Sequence, residues 1–229
     1  YVCNACLCNL NFLGEYQMNM TLKAAKEIAG TLGNPSKMPG KAYGIPAIAC
    51  NVGGILAKLK GTVCHECYAL KGNYTFPSVT KSQNKRLASL YHSQWVDAMV
   101  KQILHSKEKW FRWWDSGDLQ SMKNLLNILA VARQTPKVKQ WIPTKEAKLM
   151  QEFAKTYGMD AIPDNVIIRI SGTNVDGPAT KRWPWTSTVH TPGNEWIGEE
   201  CRAYTRGGKC GPCRMCWDKD VVNISYPKH

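Results

Sequence analysis

Long apolar runs are missing from this chain of 229 residues. No stretch of about 18 apolar residues occurs, which excludes a conventional membrane-spanning helix. The first residues, Tyr1-Val2-Cys3-Asn4, contain neither the basic nor the apolar part of a signal peptide. Internal repeats and low-complexity segments are missing too, which excludes solenoid architectures. The sequence therefore predicts a cytoplasmic protein of one compact body, without a membrane partner.

Acidic residues are scarce: 17 Asp and Glu stand against 30 Lys and Arg, and the formal net charge is +13. This balance favours a polyanionic partner, such as nucleic acid or a phosphorylated substrate. The basic residues are spread along the chain, so a solvated basic surface explains them equally well. The nine tryptophans suit either packing against metal sites or stacking on bases.

Cysteine, in contrast, is abundant: there are ten, and seven of them form two sets with the spacing of metal ligands. The first set, called the triad below, consists of Cys50, Cys64 and Cys67. The second, called the tail set, consists of Cys201, Cys210, Cys213 and Cys216. A C-x2-C loop turns two thiolates towards one centre, as in zinc and iron–sulfur sites. Four thiolates close a site, whereas three leave a coordination position open for chemistry.

Disulfide bridges are the alternative for these cysteines. A chain of this length buries a sufficient core without them, and consecutive x2 spacings suit a metal better than a framework of bridges. We therefore expect reduced cysteines in an intracellular setting. For Cys3, Cys6 and Cys8 two interpretations stay open: they are metal ligands, or they belong to an incidental tail.

Periodicity and capping residues predict alternating helices and strands. The predicted helices cover residues 21–30, 78–105, 121–131 and 146–157, and the predicted strands cover 109–114, 138–142, 166–170 and 221–226. Residues 33–44 and 171–200 read as irregular. The order predicts an α/β fold, a partial parallel (β/α) barrel with a cysteine-rich, metal-binding C-terminal segment. Three parts are expected: an N-terminal extension with a short helix (1–30), an α/β core with the triad (31–200) and the cysteine-rich tail (201–229).

Polar residues follow each of the three central predicted strands. They are Asp115-Ser116-Gly117-Asp118, Pro143-Thr144-Lys145-Glu146 and Ser171-Gly172-Thr173-Asn174. Parallel strands present their carboxyl ends to ligands, so we expect one site with Asp115, Asp118, Lys145 and Ser171 at its rim. Plain turns explain each segment singly, and the two aspartates also suit the start of the helix at Ser121. Arg169, inside a predicted strand, is either a core ion pair or a ligand contact.

Several motifs together resemble the gene-product-88 family of bacteriophage proteins. They are Cys64-His65-Glu66-Cys67-Tyr68-Ala69, Phe111-Arg112-Trp113-Trp114-Asp115-Ser116-Gly117-Asp118-Leu119-Gln120-Ser121, Pro143-Thr144-Lys145-Glu146, Pro163-Asp164-Asn165 and Cys213-Arg214-Met215-Cys216-Trp217-Asp218. The resemblance extends from Asn34 to Tyr226 and leaves residues 1 to 30 outside. It implies a phage origin, and hence the host cytoplasm, rather than a particular reaction.

The chain is also similar, more loosely, to radical S-adenosylmethionine enzymes. The likeness lies in the order of its parts: a cysteine triad, a long helix, a strand and then Ser116-Gly117-Asp118. In that family three cysteines hold a 4Fe–4S cluster whose open iron binds the methionine amine and carboxylate, and a Gly-Gly-Glu motif holds the amine. The spacing here departs from the usual C-x3-C-x2-C, because 13 residues separate Cys50 from Cys64. Asp118 stands in place of the glutamate.

The looser resemblance implies a 4Fe–4S cluster on the triad, a second cluster on the tail set, S-adenosylmethionine as cofactor and an electron donor as partner. Ser116, Gly117, Asp118 and Ser171 would bind the cofactor. The catalytic residues would be Asp115, Asp118 and Lys145, with an aspartate on the amine and Lys145 or Ser171 on the carboxylate or ribose.

Other hypotheses belong to different classes. Zinc in both cysteine sets would make the chain a basic, metal-stapled nucleic-acid-binding protein without catalytic activity. A metal-dependent nuclease using Asp115, Asp118 and Glu146 ranks last, because no motif supports it. His65, Glu66 or one of the first three cysteines would alternatively complete a closed structural site at the triad.

Overall fold

The computed structural model describes residues 20–228, which form a parallel sheet with helices on one face. The helices are α1 (Leu22–Ala29), α2 (Asn51–Leu56), α3 (Pro77–Ser89), α4 (Trp95–Ser106), α5 (Met122–Gln134) and α6 (Ala147–Tyr157). The strands are β1 (Lys41–Tyr43), β2 (Trp110–Trp113), β3 (Lys139–Thr144), β4 (Val166–Val175), β5 (Thr186–His190), β6 (Glu199–Glu200) and β7 (Asn223–Pro227). No helix among these residues is long and apolar enough to cross a membrane.

The seven strands of these residues lie in the order β1-β2-β3-β4-β5-β7-β6, and every neighbouring pair is parallel. The predicted parallel α/β fold is therefore confirmed. Strands β1 and β6 form the two edges, so the sheet is open and is not closed into a barrel.

Capping residues start and end the helices as the sequence predicts. Thr21 Oγ accepts a hydrogen bond from Ala24 N at the start of α1, and Ser121 Oγ accepts one from Asn124 N at the start of α5. Gly158, with a φ of 77°, ends α6. Each cap satisfies a main-chain group that the helix itself leaves without a partner.

The two faces of the sheet bury different kinds of residue because strand side chains alternate. Along β4, Val166, Ile168 and Ile170 enter the core under the helices, whereas Ile167 packs on the other face with Trp217. Helix α1 belongs to this same main core through buried Ala25 and Ala29, so the helix at the start of the described chain packs on the body.

The cysteine-rich segment (residues 201–222) covers the second face. Trp217 packs with Trp141 and Ile167 there, and its ring N–H donates to Phe111 O at 2.8 Å. Arg169 is fully buried and donates to five carbonyl oxygens, those of Met215, Cys216, Asp218, Thr186 and Val222. The guanidinium thus anchors the segment through its main chain, which is neither the core ion pair nor the ligand contact expected.

Three expected elements are wrong. The helix predicted over 78–105 is two helices, because a turn at Leu90 to Gln94 with i→i−3 hydrogen bonds separates α3 from α4. The loop predicted over 33–44 contains the short edge strand β1. The stretch 171–200 contains the end of β4, all of β5 and β6, not an irregular chain.

The missed strand β5 is polar, which explains the error. Four of its five residues are polar and buried: Thr186, Ser187, Thr188 and His190. They form hydrogen bonds with residues on neighbouring strands; Thr186 Oγ, for example, donates to Asn223 Oδ1 at 2.7 Å. Buried polar groups are tolerated when hydrogen-bonded. An apolar pattern therefore does not mark this part of the sheet.

Candidate functional site at the carboxyl edge of the sheet

The triad cysteines converge from two segments of the chain. All three are free and half-buried. The sulfurs of Cys50 and Cys64 both lie 3.6 Å from the position that a Cβ on Gly53 would take, so this glycine leaves the space between them open. The pKa of Cys50 is raised. Burial is the largest cause, and the neighbouring Asp118, Cys67 and Cys64 raise the pKa further.

The segment with Cys50 is tied to the ends of β2 and β3. Gln120 Nε2, in the loop after β2, donates to Ala49 O at 3.1 Å. Val52 N, in α2, donates to Glu146 Oε1 at 2.9 Å. Because Glu146 directly precedes α6, these contacts hold Cys50 at the carboxyl edge of the sheet.

The segment with Cys64 and Cys67 is tied to β4. Val63 N donates to Thr173 O at 2.9 Å, and Val175 N donates to Gly61 O at 3.0 Å. The 13 residues between Cys50 and Cys64 thus include α2 and a turn that returns to the same edge.

Asp118 links the ends of two strands. Its Oδ1 accepts from Leu119 N at 2.7 Å and from Thr144 Oγ at 2.6 Å, and its Oδ2 accepts from Lys145 N at 2.7 Å. Burial raises the pKa of Asp118 to about 6, although these hydrogen bonds act to lower it. Both oxygens hold the scaffold, so the structure gives Asp118 a positioning role at the triad.

Lys145 places a cation beside the thiols. Its ammonium group donates to Gly172 O at the end of β4. Burial lowers the pKa of Lys145, while nearby Cys64 and Asp118 oppose that shift. A neighbouring cation favours thiolates over thiols, so Lys145 suits a site that holds anionic sulfur ligands.

The loop after β2 contains polar atoms without partners. Among the described residues, Asp115 Oδ1 and Ser116 Oγ are buried without a hydrogen-bond partner. Gly117 has a φ of 80°, and a Cβ there would lie 2.3 Å from Ile45 Cγ1, so only glycine fits this close approach. Asp115 O accepts from the hydroxyl of Tyr68, the residue after Cys67, at 2.7 Å. The main chain of Asp115 thus contacts the loop of the triad, while its unpartnered Oδ1 lies next to Gly44, 2.1 Å from the position of a Cβ added there.

The other predicted residues lie elsewhere. Ser171 Oγ contacts Ser187 Oγ at 3.1 Å within the sheet; its neighbour Gly172, not Ser171, meets Lys145. His65 Nδ1 is 3.0 Å from Ala57 O, and Glu66 pairs with Lys228 at 3.3 Å. Cys3, Cys6 and Cys8, the remaining candidates for a fourth ligand, lie outside the described residues.

Sequence reasoning missed two residues at this site. Tyr68 joins Asp115 to Arg112, whose Nη2 donates to the tyrosine hydroxyl at 3.2 Å. Arg112 also lies over the Trp141 ring, 4.6 Å from its centroid. The sequence does contain a signal for each of them: Tyr68 directly follows Cys67, and Arg112 is the polar residue in the otherwise aromatic strand β2.

Within residues 20–228 there is no group of three or more His, Cys, Asp or Glu side chains that could hold a metal ion. The expectation that the C-terminal segment binds metal therefore has no support from a ready-made ligand group. The chemistry of the donors nevertheless fits a metal: every cysteine in both sets is free, and the sulfurs of Cys50 and Cys64 border the space that Gly53 leaves open.

Comparison with known proteins identifies a family but not an activity. The family model described as Gene product 88 matches residues 13–219. The match begins earlier than the resemblance read from the motifs. No curated protein and no solved structure matches the chain. The looser resemblance to radical S-adenosylmethionine enzymes receives no support from these comparisons. The chain thus belongs to the gene-product-88 family, a family of bacteriophage proteins.

Proposed function

We propose that this member of the gene-product-88 family is an iron–sulfur protein whose triad holds a 4Fe–4S cluster and acts on S-adenosylmethionine. One observation carries the proposal: at the carboxyl edge of a parallel sheet the sulfurs of two free cysteines, Cys50 and Cys64, lie on either side of Gly53, and Cys67 is close enough to raise the pKa of Cys50. This edge is where parallel α/β folds bind ligands. The consecutive order of β1 to β5 supports the finer proposal of a partial (β/α) barrel.

The number of cysteines supports an open site. His65 and Glu66, the two residues between Cys64 and Cys67, make contacts elsewhere. The triad therefore supplies three ligands, without a fourth from its own loop. When bound, such a cluster supplies one electron for cleavage of a carbon–sulfur bond in S-adenosylmethionine, while the protein orients the reactants and excludes water.

Residues of this chain would then orient the cofactor. Asp118 uses both oxygens within the scaffold, whereas Asp115 keeps one buried oxygen without a partner. Of the two aspartates, Asp115 is therefore the better acceptor for the methionine amine. The Ser116 hydroxyl, also unpartnered, suits the carboxylate or a ribose hydroxyl, and Lys145 offsets the charge of the thiolates.

The surroundings of the triad suit a protein partner. Large apolar side chains are exposed in the segments that carry it: Ile48, Ile55, Leu59, Tyr68, Leu70 and Phe76. Exposed apolar patches mark interaction surfaces. The reaction needs an external reductant, so we assign this surface to an electron-donor protein.

The net charge of +13 keeps a nucleic-acid or phosphorylated substrate within the proposal. It also supports the competing proposal, in which zinc occupies the cysteines and the surface binds nucleic acid. Six of the nine tryptophans are buried, which leaves few of them for stacking on bases. We therefore rank the zinc-stapled binder second.

Anaerobic purification followed by iron, sulfide and zinc analysis tests the proposal. Wild type should contain iron and sulfide and show the broad visible absorbance of a cluster, and adding S-adenosylmethionine to reduced protein should change its electron paramagnetic resonance spectrum. Cys64→Ala should lose the signal of the triad. Glu66→Gln, an exposed change in the same loop, is the matched control and should keep it.

Two results would contradict the proposal. Colourless protein with stoichiometric zinc would establish the second proposal instead. A spectrum unmoved by S-adenosylmethionine, in protein with its iron intact, would remove the radical mechanism and leave an iron–sulfur protein of another kind.

A further inference from the structure

The cysteine-rich segment has little regular structure to hold it. Between residues 201 and 222 the chain forms only the short turns Arg202–Arg206 and Met215–Trp217. Its main chain is nevertheless fixed at three cysteines. Cys201 N donates to Ser225 O at 2.8 Å, Cys210 N donates to Lys37 O at 2.8 Å, and Cys216 O accepts from Arg169. Three of the four cysteines are thus main-chain anchoring points of the segment, alongside the carbonyls of Met215, Asp218 and Val222 that Arg169 holds.

The thiols of the tail set are neighbours. Cys210 and Cys213 belong to one turn, in which Cys213 N donates to Cys210 O at 3.1 Å. Cys210, Cys216 and Tyr226 all pack on the small cluster formed by Met38, Trp141, Ile167 and Trp217. Cys201, which comes from a separate part of the chain, is held beside Tyr226, because its N–H donates to Ser225 O.

Cations surround this cluster from several elements. Lys37 accepts a main-chain hydrogen bond from Cys210 N, Arg169 donates to Cys216 O, and Arg214 donates to Cys213 O. The Nε atom of Arg112 is buried without a partner among the described residues. Four thiolates around Zn²⁺ or a 4Fe–4S core make a negatively charged centre. The positive side chains compensate that charge.

The hydroxyl of Tyr226 lies 3.4 Å from Cys216 Sγ. With a thiolate at Cys216, the hydroxyl is the donor of this hydrogen bond. Hydrogen bonds to ligating sulfurs orient and tune metal centres.

We infer that the tail set, Cys201, Cys210, Cys213 and Cys216, binds one thiophilic metal centre, closed by four thiolates, on the face of the sheet opposite the helices. The site is separate from the triad and does not depend on the function proposed for it. Binding requires the four thiols to lose their protons. It also requires the four cysteine side chains to turn towards one centre, because among the described residues they are not gathered as a ligand group. The metal then staples the segment over Trp217 and couples binding to stability.

Two matched triple variants of the full chain test the inference, each replacing three cysteines by serine: C210S/C213S/C216S and C50S/C64S/C67S. Iron, zinc and sulfide are measured per chain after anaerobic purification, together with Tm. The tail variant should lose one metal centre relative to wild type, with a Tm lower by at least about 5 °C. The triad variant should keep the centre of the tail set, even if the triad binds nothing.

Cysteine labelling on the wild type provides a second measurement if the tail variant does not fold. The four thiols of the tail set should be protected from an alkylating reagent in the metal-loaded protein and should react after chelation, as read by peptide mass spectrometry. Equal labelling before and after metal removal would overturn the inference. Unchanged metal content in a folded tail variant would overturn it as well. Zinc without sulfide identifies a zinc site, and iron with sulfide identifies a cluster.

Discussion

Replacement of Gly53 by alanine tests where a metal lies at the triad. The added Cβ would lie 3.0 Å from Cys50 Cβ and 3.6 Å from the sulfurs of Cys50 and Cys64. It would fill the space that these sulfurs share. Gly54→Ala is the matched control: it lies in the same helix, and a Cβ there meets nothing within 4 Å.

The expected magnitudes differ between the two variants. Alanine is better than glycine in a helix by about 0.5–1 kcal/mol, so Gly54→Ala should raise the free energy of unfolding by roughly that amount. At Gly53 the close contact with Cys50 offsets part of the gain. Overpacking costs about 1–3 kcal/mol. If this overpacking cost falls on the metal-bound state alone, the affinity of Gly53→Ala for the metal drops roughly 5- to 150-fold.

The assay is reconstitution of the metal-free protein with iron and sulfide, titrated by visible absorbance, and urea unfolding of the same samples without metal. Gly53→Ala should fold normally but take up little iron and sulfide. Gly54→Ala should fold and take up iron and sulfide like wild type. Equal loading of the two variants would refute the reasoning, because it would mean that no metal lies between Cys50 and Cys64.

The remaining predictions concern stability and are measured by urea unfolding. Arg169→Met removes the donor to five carbonyl oxygens and should cost about 3 kcal/mol or more, with proteolysis within residues 201–222; a resistant segment would contradict this anchoring. Asp118→Asn turns an amide donor towards a main-chain donor or the Thr144 hydroxyl and should cost about 1–3 kcal/mol; an unchanged midpoint would deny the linking role of Asp118. Ser121→Ala removes the cap of α5 and should cost about 1 kcal/mol, and no loss would show that the cap is dispensable.

The part of the fold that the sequence predicts well is the part with an apolar pattern. Val166 to Ile170 is continuously apolar apart from Arg169 and forms the buried centre of β4, as expected of a parallel strand with both faces covered. Helices α1, α5 and α6 are marked by caps or by a terminating glycine. In each case the local signal and the tertiary packing agree.

The polar half of the sheet is not predictable in this way. Strand β5 buries hydroxyl and imidazole groups that find partners on other strands, for example Ser187 on Ser171 and His190 on Ser225 at 2.8 Å. A one-dimensional pattern does not contain those partners. Arg169 is similar, since its acceptors are main-chain carbonyls between 17 and 53 residues away.

The spacing of the triad shows why sequence separation is a weak guide to a ligand set. The 13 residues after Cys50 weaken the assignment of that cysteine when the sequence alone is read, since ligand loops of the compared family are short. In the structure α2 and the turn after it bring the chain back, because Glu146 holds the start of α2 and Thr173 holds the residue before Cys64. Both holding residues belong to loops or strands of the sheet. The edge of the sheet, rather than a local loop, therefore sets the distance between Cys50 and Cys64, and Gly53 keeps the space between their sulfurs open.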